Sequence, residues 1–546
     1  MSSAETDSLA PGPRSPLATL LLLVAAAVAF QLLRSPYLDV PFTRDEGEYA
    51  YIAQRWAAGD VPYRDAFDQK PPLVFLAYRA AFAIGGEEVR SVRVLHGVWV
   101  AASALLLFLL VRRAAPTAGP VGAAGAALAF VALVSSHGWF GHVANTEVFM
   151  LLPMVASALF LWRADRDDRP RDWVLCGAFA ALACWFKPVA GTHVAWVLLF
   201  VLAAAWRVGR RGVLVRVTWR WSWLLVGGIV ASVPVVLPFA LAGVFREFLD
   251  AVFLHNVRYA QAVDWSAGAA ALERGLAKQA PELAGIWALA AIGIAVRWRE
   301  ARSHVGWLIL CAVGAAVGLY FRPHYFMQLG PPLAVLAGLG GVAVIERLAR
   351  FRVPAVVAAL AVAAAIAVPA RVVNADLLAL DPTGISRRIH DVNPFVEAPS
   401  LAERIREGSD PGDTVYVFGS EPEILFHARR KSATRYIITY PLLGGFEDSG
   451  ERQREAIAEV RAANPRWIVL VSIATSHLEA PDADPYLAVE TERIVREGGY
   501  VLDSIAVPVD PTGPFKLFTG DRAEPVSNDV LARGGRTPAV RLYRRP

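Results

Sequence analysis

The sequence has few of the residues on which disulfide-rich and metal-binding proteins depend. Only three of 546 residues are cysteines, Cys176, Cys184 and Cys311, and all of them lie inside apolar runs. We therefore expect neither a disulfide framework nor a metal cluster, and we interpret the three as small core residues. Charge is also scarce, because 19% of the residues are charged and 55% are hydrophobic. That balance excludes an ordinary soluble protein and predicts a polytopic α-helical membrane protein.

The basic residues do not form one continuous stretch. The chain has 54 lysines and arginines and a net charge of +5, but these residues occur in short clusters between apolar runs. Such clusters are typical of membrane topology rather than of an RNA-binding face. We therefore predict membrane lipids as the surroundings of the chain and no nucleic-acid partner.

Apolar runs of roughly 20 residues, the length needed to cross a bilayer, recur through the first two thirds of the chain. The first run lacks a small-residue cleavage site and many others follow it, so we interpret it as a retained signal-anchor. We predict about eleven transmembrane helices, at 16–34, 93–111, 117–135, 147–163, 173–187, 189–206, 221–243, 281–297, 304–321, 325–346 and 353–371.

The positions of the arginines predict the orientation of these helices. Alternate connections are rich in arginine, as at 207–220, whereas the connection 136–145 has neither lysine nor arginine. The two other short connections on that second side offer only Lys187 and Arg322. The positive-inside rule therefore predicts a cytoplasmic N-terminus and an extracytoplasmic C-terminal region, in a plasma or inner membrane.

Two long loops, 35–92 and 244–280, are predicted on the outer side. The first contains the apolar stretch 70–86, which is short, carries Arg79 and begins with two prolines after Lys70. We expect an amphipathic helix on the outer surface of the membrane there rather than a further span.

The composition changes after the last predicted span. Residues 1–390 are predicted to form the transmembrane domain, and 391–546 a soluble α/β domain on the outer face. Prolines 508, 511 and 514 indicate irregular connections near the end of that domain. Its predicted strands are 413–419 and 466–472, and its predicted helices include 452–463 and 486–497.

Charged side chains are rare inside the predicted spans and gather at their outer ends. Ion-coupled transporters usually need carboxylates near the middle of the membrane, so this distribution argues against one. At the outer ends, carboxylates face lysines and arginines. This arrangement suits a reaction on a lipid-linked anion whose headgroup lies outside.

Each of these polar residues also has a purely structural interpretation. Basic side chains at such positions extend to lipid headgroups, and an acid at the start of a helix favours the helix dipole. His137 and His142 have no third ligand at metal spacing, so no zinc site is predicted. Extension to lipid headgroups would explain Lys70, Lys187 and Arg322. The helix dipole would explain Glu147, and a solvated loop would explain His255, Arg258 and Tyr259.

Three acids lie close together in "TRDEGEYAYIAQRW", which begins at Thr43. Thr43 and Glu46 match a capping box before a helical pattern, which gives Glu46 a structural role. Asp45 lies in the first turn, where the dipole favours an ionised carboxylate, and Glu48 lies three residues further on the same face. Of the three acids, Asp45 is the one expected to be exposed, charged and free to act.

Four segments occur in a fixed order: "TRDEGEYAYIAQRWAAGDVPYRDAFDQKPPLVFLAY", "HVANTEVFMLLP", "WFKPVAGTHVAW" and "FRPHYFMQLGPPLAVLAG". Together they resemble the GT-C glycosyltransferases, in the branch of the protein O-mannosyltransferases and the bacterial lipid A aminoarabinose transferase. Glu147 stands where many relatives have aspartate. The resemblance covers roughly residues 15–370 and implies a GT-C-like transmembrane catalytic domain.

That family transfers a sugar, with inversion, from a polyprenyl-phosphate donor to an acceptor on the outer face. The resemblance implies that Asp45 is the catalytic carboxylate and Glu147 the second acid. Some relatives use a divalent cation, and nothing in this chain dictates one. The implied donor-phosphate residues are Lys70, Lys187, Arg322, His324 and Tyr325, and the possible substrate-binding residues are Glu46, Glu48, His255, Arg258 and Tyr259.

The predicted function is therefore that of an inverting glycosyltransferase. Its donor would be a polyprenyl-phosphate-linked sugar, and its acceptor a hydroxyl of a cell-envelope glycan, lipid or protein. The alternative is a transporter or flippase that binds a lipid-linked glycan without catalysis. A third possibility is that the C-terminal domain is a binding module for a cell-envelope glycan.

Overall fold

A computed structural model describes residues 34–261, 263–509, 514–533 and 537–546. The predicted span 16–34 lies outside the described residues except for Arg34. The helices up to residue 390 are α1 (Arg44–Ala57), α2 (Leu73–Gly85), α3 (Val89–Ala114), α4 (Gly119–Val134), α5 (Thr146–Asp167), α6 (Pro170–Phe186), α7 (Gly191–Val208), α8 (Val213–Leu241), α9 (Phe245–Leu249), α10 (His255–Ala260), α11 (Trp265–Val296), α12 (Trp298–Ala316), α13 (Gly330–Ala349), α14 (Ala355–Val373), α15 (Ala375–Leu378) and α16 (Pro382–His390).

Helices long and apolar enough to cross a membrane dominate this part of the chain. Eight segments qualify within the described residues, and they contain α3, α4, α5, α7, α8, α11, α13 and α14. The predicted spans 173–187 and 304–321 correspond to α6, which has only 17 residues, and to α12, which begins with charged residues. The chain is therefore a multi-pass membrane protein, and the count of eleven spans stays a prediction.

The predicted outer loops contain more helix than the sequence indicated. The stretch expected to form an amphipathic helix is α2, and α9 and α10 lie within 244–280. Helix α11 begins at Trp265, well before the predicted span 281–297, because Asp264 caps it by accepting from the backbone N–H groups of Ser266 and Ala267 at 2.8 and 2.9 Å. The helix thus begins inside the predicted loop 244–280, whose position on the outer side stays a prediction.

Small residues let the long helices pack closely. A Cβ on Gly177 of α6 would collide with the backbone carbonyl of Leu224 in α8, and one on Gly227 would collide with the carbonyl of Val174. Close backbone approach of this kind holds membrane helices together without large side chains. Helix α13 is buried from Gly330 to Ala343, so it forms the centre of the bundle.

The C-terminal part folds around a mixed sheet. The sheet order is β2-β1-β3-β6-β4-β5, in which β2, β1 and β3 are parallel and the remaining pairs are antiparallel. The strands are β1 (Thr414–Phe418), β2 (Lys431–Ser432), β3 (Trp467–Ser472), β4 (Val501–Pro508), β5 (Phe515–Thr519) and β6 (Ala539–Arg544). The helices are α17 (Ala398–Glu407), α18 (Pro422–Ala428), α19 (Tyr440–Leu443), α20 (Ser449–Ala463), α21 (Ala474–His477), α22 (Tyr486–Glu497) and α23 (Ala523–Ala532).

The predicted strands and helices of this part are present as β1, β3, α20 and α22, which confirms an α/β arrangement. Strands β4, β5 and β6 were not predicted. Pro508 is the last residue of β4 and Pro514 directly precedes β5, so these two prolines flank the connection between the strands of a hairpin.

Helix α1 lies against the carboxyl ends of the parallel strands. Arg44 donates to the backbone oxygen of Ser420, just after β1, at 2.8 Å, and to that of Thr475, just after β3, at 2.7 Å. Further along α1, the hydroxyl of Tyr51 accepts from the backbone N–H of Ser432 at 2.8 Å. The start of α1 is thus held by the C-terminal sheet, which fixes the direction in which the next residue, Asp45, can point.

Candidate active site

The first turn of α1 is fixed from both sides by Glu46. Its carboxylate accepts from the backbone N–H of Thr43 at 3.1 Å, which confirms the predicted capping box. The same carboxylate accepts from the backbone N–H of Ala144 at 2.7 Å and forms a buried ion pair with Arg93 of α3. Glu46 is fully buried and its oxygens are engaged by the chain itself. Its geometry is that of an anchor for α1.

Asp45 has the opposite surroundings. Among the described residues its half-buried carboxylate has no hydrogen-bond or ion-pair partner. Burial alone would raise the pKa of Asp45, but the charges of Lys70, His324 and Arg322 lower it below its ordinary value. Asp45 is therefore an ionised acceptor that faces cations and is free to take a proton.

A second group of charges, Asp68 and Lys70, lies near Glu48, which is one turn further along α1. Lys70 lies 3.5 Å from an oxygen of Asp68, and its ammonium group lies 5.6 Å from the centre of the Tyr49 ring. Burial and the nearby Asp68 raise the pKa of Glu48 well above its ordinary value. The protonated form of Glu48 is thereby favoured, and one oxygen of its carboxyl is buried without a partner among the described residues.

A third group connects the start of α5 with the turn before α13. Lys187 donates to Glu147 in a buried ion pair, and the Nε2 of His324 lies 3.6 Å from the same carboxylate oxygen. The ammonium group of Lys187 also lies 4.3 Å from the centre of the Tyr325 ring. Glu147 and Lys187 therefore satisfy each other, and together they fix the positions of His324 and Tyr325.

Arg322 differs from the other two basic residues. It has no acidic partner within ion-pair distance among the described residues, and its guanidinium carbon lies 5.5 Å from the centre of the Tyr320 ring. Its charge interacts with that of Asp45 across the site. Of the predicted phosphate-binding cations, Arg322 has the most of its charge available to a ligand.

Tyrosines surround Arg322. The hydroxyl groups of Tyr259 and Tyr325 lie 2.9 Å apart, and those of Tyr320 and Tyr440 lie 3.0 Å apart. The rings of Tyr259 and Tyr320 stack at 4.4 Å between centres. The C-terminal domain therefore reaches the site through Tyr440.

Two other predicted residues have structural contacts instead. His255 is buried between Phe67 and Phe446, at 5.4 and 4.9 Å between ring centres. Arg258 pairs with Asp250 at 3.2 Å and with Asp448 at 2.9 Å, which ties α10 to the C-terminal domain. Neither side chain is brought to Asp45. Tyr259, one residue after Arg258, does reach the site.

An apolar cavity lies between α6, α7 and α8. Its volume is about 570 Å³, and Trp185, Val197 and Leu225 are among its lining residues. Pro71 and Pro188 also line it, and they directly follow Lys70 and Lys187 in the chain. The cavity thus begins next to the cations and continues along the faces of the spanning helices.

The acids nearest to the site are mostly paired with basic side chains. Within the ranges that the structure describes, no three histidine, cysteine or acidic side chains are arranged to hold a metal ion. Three of the acids nearest to the site are also engaged, because Glu46, Glu147 and Asp68 each have a basic partner.

Comparison with known proteins gives this arrangement a context. Residues 69–241, about a third of the chain, match the sequence profile of the family described as dolichyl-phosphate-mannose-protein mannosyltransferase. The crystal structure of ArnT from Cupriavidus metallidurans bound to undecaprenyl phosphate is similar over 96% of this chain and 98% of that one, with a TM-score of 0.57 and 17% identity. The chain has the fold of the GT-C glycosyltransferases.

Two further structures have the same fold. ArnT in the apo state matches with a TM-score of 0.55 and 16% identity, over 96% of this chain and 98% of that one. The arabinofuranosyltransferase AftD from Mycobacteria matches with a TM-score of 0.50 and 16% identity, over 97% of this chain but only 40% of AftD. No curated protein sequence matches this chain significantly. The predicted GT-C fold, including the C-terminal α/β part, is confirmed.

Three side chains at the centre of this GT-C fold were not predicted from the sequence. Arg93 lies at the start of an apolar run and shows its role only through its contact with Glu46. Tyr320 lies two residues before Arg322, so its closeness to the basic motif was an available signal. Tyr440 had no such signal, because it is 118 positions further along the chain than Arg322.

Proposed function

We propose that the protein is an inverting glycosyltransferase that moves a sugar from a polyprenyl-phosphate donor to an acceptor hydroxyl. The observation that carries this proposal is the unpaired carboxylate of Asp45 facing Arg322 and Lys70. The acceptor would belong to a cell-envelope glycan, lipid or protein at the outer face of a plasma or inner membrane. The arginine-rich connections support this orientation, with the N-terminus in the cytoplasm and residues 391–546 outside.

The chemistry follows from the two sides of the site. The acceptor oxygen attacks the anomeric carbon of the sugar while its proton passes to the carboxylate of Asp45. The bond from that carbon to the phosphate oxygen breaks, and its electron pair leaves with the phosphate. Arg322 and Lys70 stabilise the charge that grows on the leaving phosphate. Attack from the side opposite the phosphate inverts the configuration, and no second acid is needed to protonate the leaving group.

Glu147, Lys187, His324, Tyr325 and Glu48 support this centre. Glu147 and Lys187 hold His324 and Tyr325 beside the donor phosphate, where both can donate hydrogen bonds. We propose that Lys187 also contributes charge to the phosphate, although Glu147 takes up much of it. Glu48, in its protonated form, lies close enough to interact with Asp45 and Lys70, and can donate a hydrogen bond to a substrate.

The apolar cavity supports a lipid-linked donor. Its lining residues Pro71 and Pro188 are adjacent in the chain to Lys70 and Lys187. A molecule with a charged head and an apolar tail would therefore fit both the cations and the cavity. ArnT, the similar structure, was crystallised with undecaprenyl phosphate, a molecule of that kind. We therefore propose that the polyprenyl chain of the donor occupies this cavity.

A transporter or flippase of a lipid-linked glycan would need the same cavity and the same cations. The unpaired Asp45 favours catalysis, because binding of an anion gains nothing from a nearby free carboxylate. Turnover therefore separates the two functions. An enzyme releases the lipid phosphate and forms a new glycosidic bond, whereas a flippase returns the donor unchanged.

The test uses the purified full-length protein with undecaprenyl-phosphate-linked mannose, glucose and arabinofuranose, with a cell-envelope extract as acceptor. We expect release of undecaprenyl phosphate from at least one donor, and no release with the Asp45→Asn variant. Unchanged release by Asp45→Asn would refute the catalytic assignment. Movement of intact donor across a vesicle membrane without any release would support the flippase instead.

A further inference from the structure

The tyrosines around Arg322 form a small polar wall. Tyr259, Tyr320 and Tyr325 come from the membrane domain, and Tyr440 comes from the first turn of α19 in the C-terminal domain. All four rings are partly exposed rather than sealed in the core. The ring of Tyr440 lies 5.9 Å from that of Tyr259, and its hydroxyl lies 3.0 Å from that of Tyr320. The wall therefore has faces that a ligand can reach.

The hydrogen bonds of the wall leave capacity unused. Among the described residues, the four hydroxyl groups take part in three hydrogen bonds: one between Tyr259 and Tyr325, one between Tyr320 and Tyr440, and one of 3.4 Å from Tyr320 to the backbone oxygen of Tyr259. Each hydroxyl group has one proton to donate and can also accept. At least one O–H group and several lone pairs are thus available to a polar ligand.

The position of Tyr440 is fixed by its own domain. The backbone oxygen of Leu442 accepts from the side-chain amide of Gln453 at 2.9 Å, and the ring of Tyr440 packs against Phe446 at 5.3 Å between centres. The ion pair between Arg258 and Asp448 then ties this region to α10, next to Tyr259. The wall is a preorganised surface made jointly by the two domains.

Its place beside Arg322 indicates which part of a donor it would meet. Arg322 has charge available for a phosphate, and the apolar cavity extends away from the cations on the lipid side. The group on the other side of that phosphate is the sugar, a ring with hydroxyl groups on its edge and C–H bonds on its faces. Half-exposed tyrosines with spare hydroxyl groups suit both the faces and the edge of a sugar. Their rings pack on the apolar faces, and their O–H groups form hydrogen bonds with the hydroxyl groups of the edge.

We infer that Tyr320 and Tyr440 form the subsite for the sugar of the lipid-linked donor, so that the C-terminal domain contributes directly to sugar recognition. This inference rests on the proposed function. It makes Tyr440 a specificity-determining residue, and it gives the C-terminal domain a role that a separate glycan-binding module would not have. A purely structural contact between the two domains would not distinguish a sugar-bearing lipid from the bare lipid phosphate.

That distinction defines the experiment. Binding of two probes to the full-length protein is measured: undecaprenyl phosphate, and the undecaprenyl-phosphate-linked sugar that wild type turns over fastest. Tyr440→Ala is expected to weaken binding of the sugar-bearing lipid about five- to tenfold and to leave binding of bare undecaprenyl phosphate within about twofold. Tyr440→Phe keeps the ring, so its affinity for the sugar-bearing lipid should lie between those of wild type and Tyr440→Ala.

Tyr500→Ala is the matched control. Tyr500 lies in the same domain, and its hydroxyl donates to the backbone oxygen of Pro465. Pro465 lies just before the start of β3, whereas Ser472 is the last residue of that strand, at its opposite end. The Tyr500→Ala variant should bind undecaprenyl phosphate and the sugar-bearing lipid with unchanged affinity. Equal weakening of the two probes by Tyr440→Ala, or no weakening of either, would overturn the sugar subsite. Failure of wild type to turn over any donor would instead overturn the proposed function.

Discussion

Asp45 in the first turn of α1 and Glu147 in the first turn of α5 are both acidic, yet their carboxylates have opposite surroundings. Asp45 of α1 has no hydrogen-bond or ion-pair partner among the described residues, whereas Glu147 of α5 is paired with Lys187 and lies 3.6 Å from His324. The charge of a paired carboxylate is already balanced by a basic group of the protein. An unpaired one, kept ionised by cations nearby, can accept a proton from a substrate. The difference separates an acid for chemistry from an acid for positioning.

The largest effect is expected at the unpaired acid. Asp45→Asn should lower sugar transfer by about 10²- to 10⁴-fold, the usual contribution of a general base. The melting temperature should fall only slightly, because the change removes the attraction of Lys70 and Arg322 for the carboxylate but no hydrogen bond within the described structure. Transfer assays and thermal unfolding in detergent check both parts.

Glu46→Gln is the control for that variant, one position along the same helix turn. It breaks the buried pair with Arg93, so its melting temperature should fall clearly. If Asp45→Asn were destabilised as much as Glu46→Gln, the contrast between a free and an anchored acid in α1 would be wrong.

The paired acid should show mainly a loss of stability. Glu147→Gln leaves the charge of Lys187 buried without its partner, which costs about 3 kcal/mol of unfolding free energy. The double variant Glu147→Gln/Lys187→Met should recover most of that loss but not full transfer activity. Unfolding in detergent measures the first effect. A double variant no more stable than Glu147→Gln would contradict the pairing.

Donor affinity sharpens the comparison among the cations. Arg322→Ala should weaken binding of undecaprenyl phosphate by about tenfold or more, because hydrogen bonds to charged groups contribute roughly 1.5–3 kcal/mol. Lys70→Ala should have a smaller effect, since Asp68 already takes up part of its charge. Arg79→Ala, at an exposed position of α2, should change nothing. A larger effect at Lys70 than at Arg322 would reverse this order.

The smallest effect is a pH dependence. Burial and Asp68 raise the pKa of Glu48, so the stability it contributes is complete below its ordinary pKa and is lost as pH rises through the raised value. Glu48→Gln is neutral at every pH. Between about pH 5 and about pH 8, its melting temperature should therefore fall by a few degrees less than that of wild type. Parallel pH profiles of the two proteins would contradict the raised pKa.

Local patterns in the sequence predicted local structure well. The capping box of Thr43 and Glu46 involves residues three apart, and the apolar runs that became α3 to α14 are continuous in the chain. The ordered motifs also predicted the GT-C fold. In the C-terminal domain, β4 contains Asp503 and β6 contains two arginines, so their apolar character was too weak to predict strands.

Contacts between distant segments could not be predicted in the same way. Glu147 and Lys187 are 40 residues apart, and their pairing joins a predicted catalytic acid and a predicted phosphate-binding lysine in one ion pair. Tyr440 reaches Tyr320 across 120 positions. The sequence motifs predicted which single residues belong to the site. Only the packed structure shows which of these residues pair with each other and which remain available to a ligand.

The contacts of Arg44 have a consequence for the order of events during synthesis. Helix α1 is made well before the segments after β1 and β3 that accept from Arg44, because those acceptors lie 376 and 431 positions further along the chain. Domains generally fold as they emerge, beginning from the N-terminus. The start of α1 is therefore held in place only once the C-terminal domain has folded, so under the proposed function we expect a nascent chain with its spans already inserted to remain inactive until then.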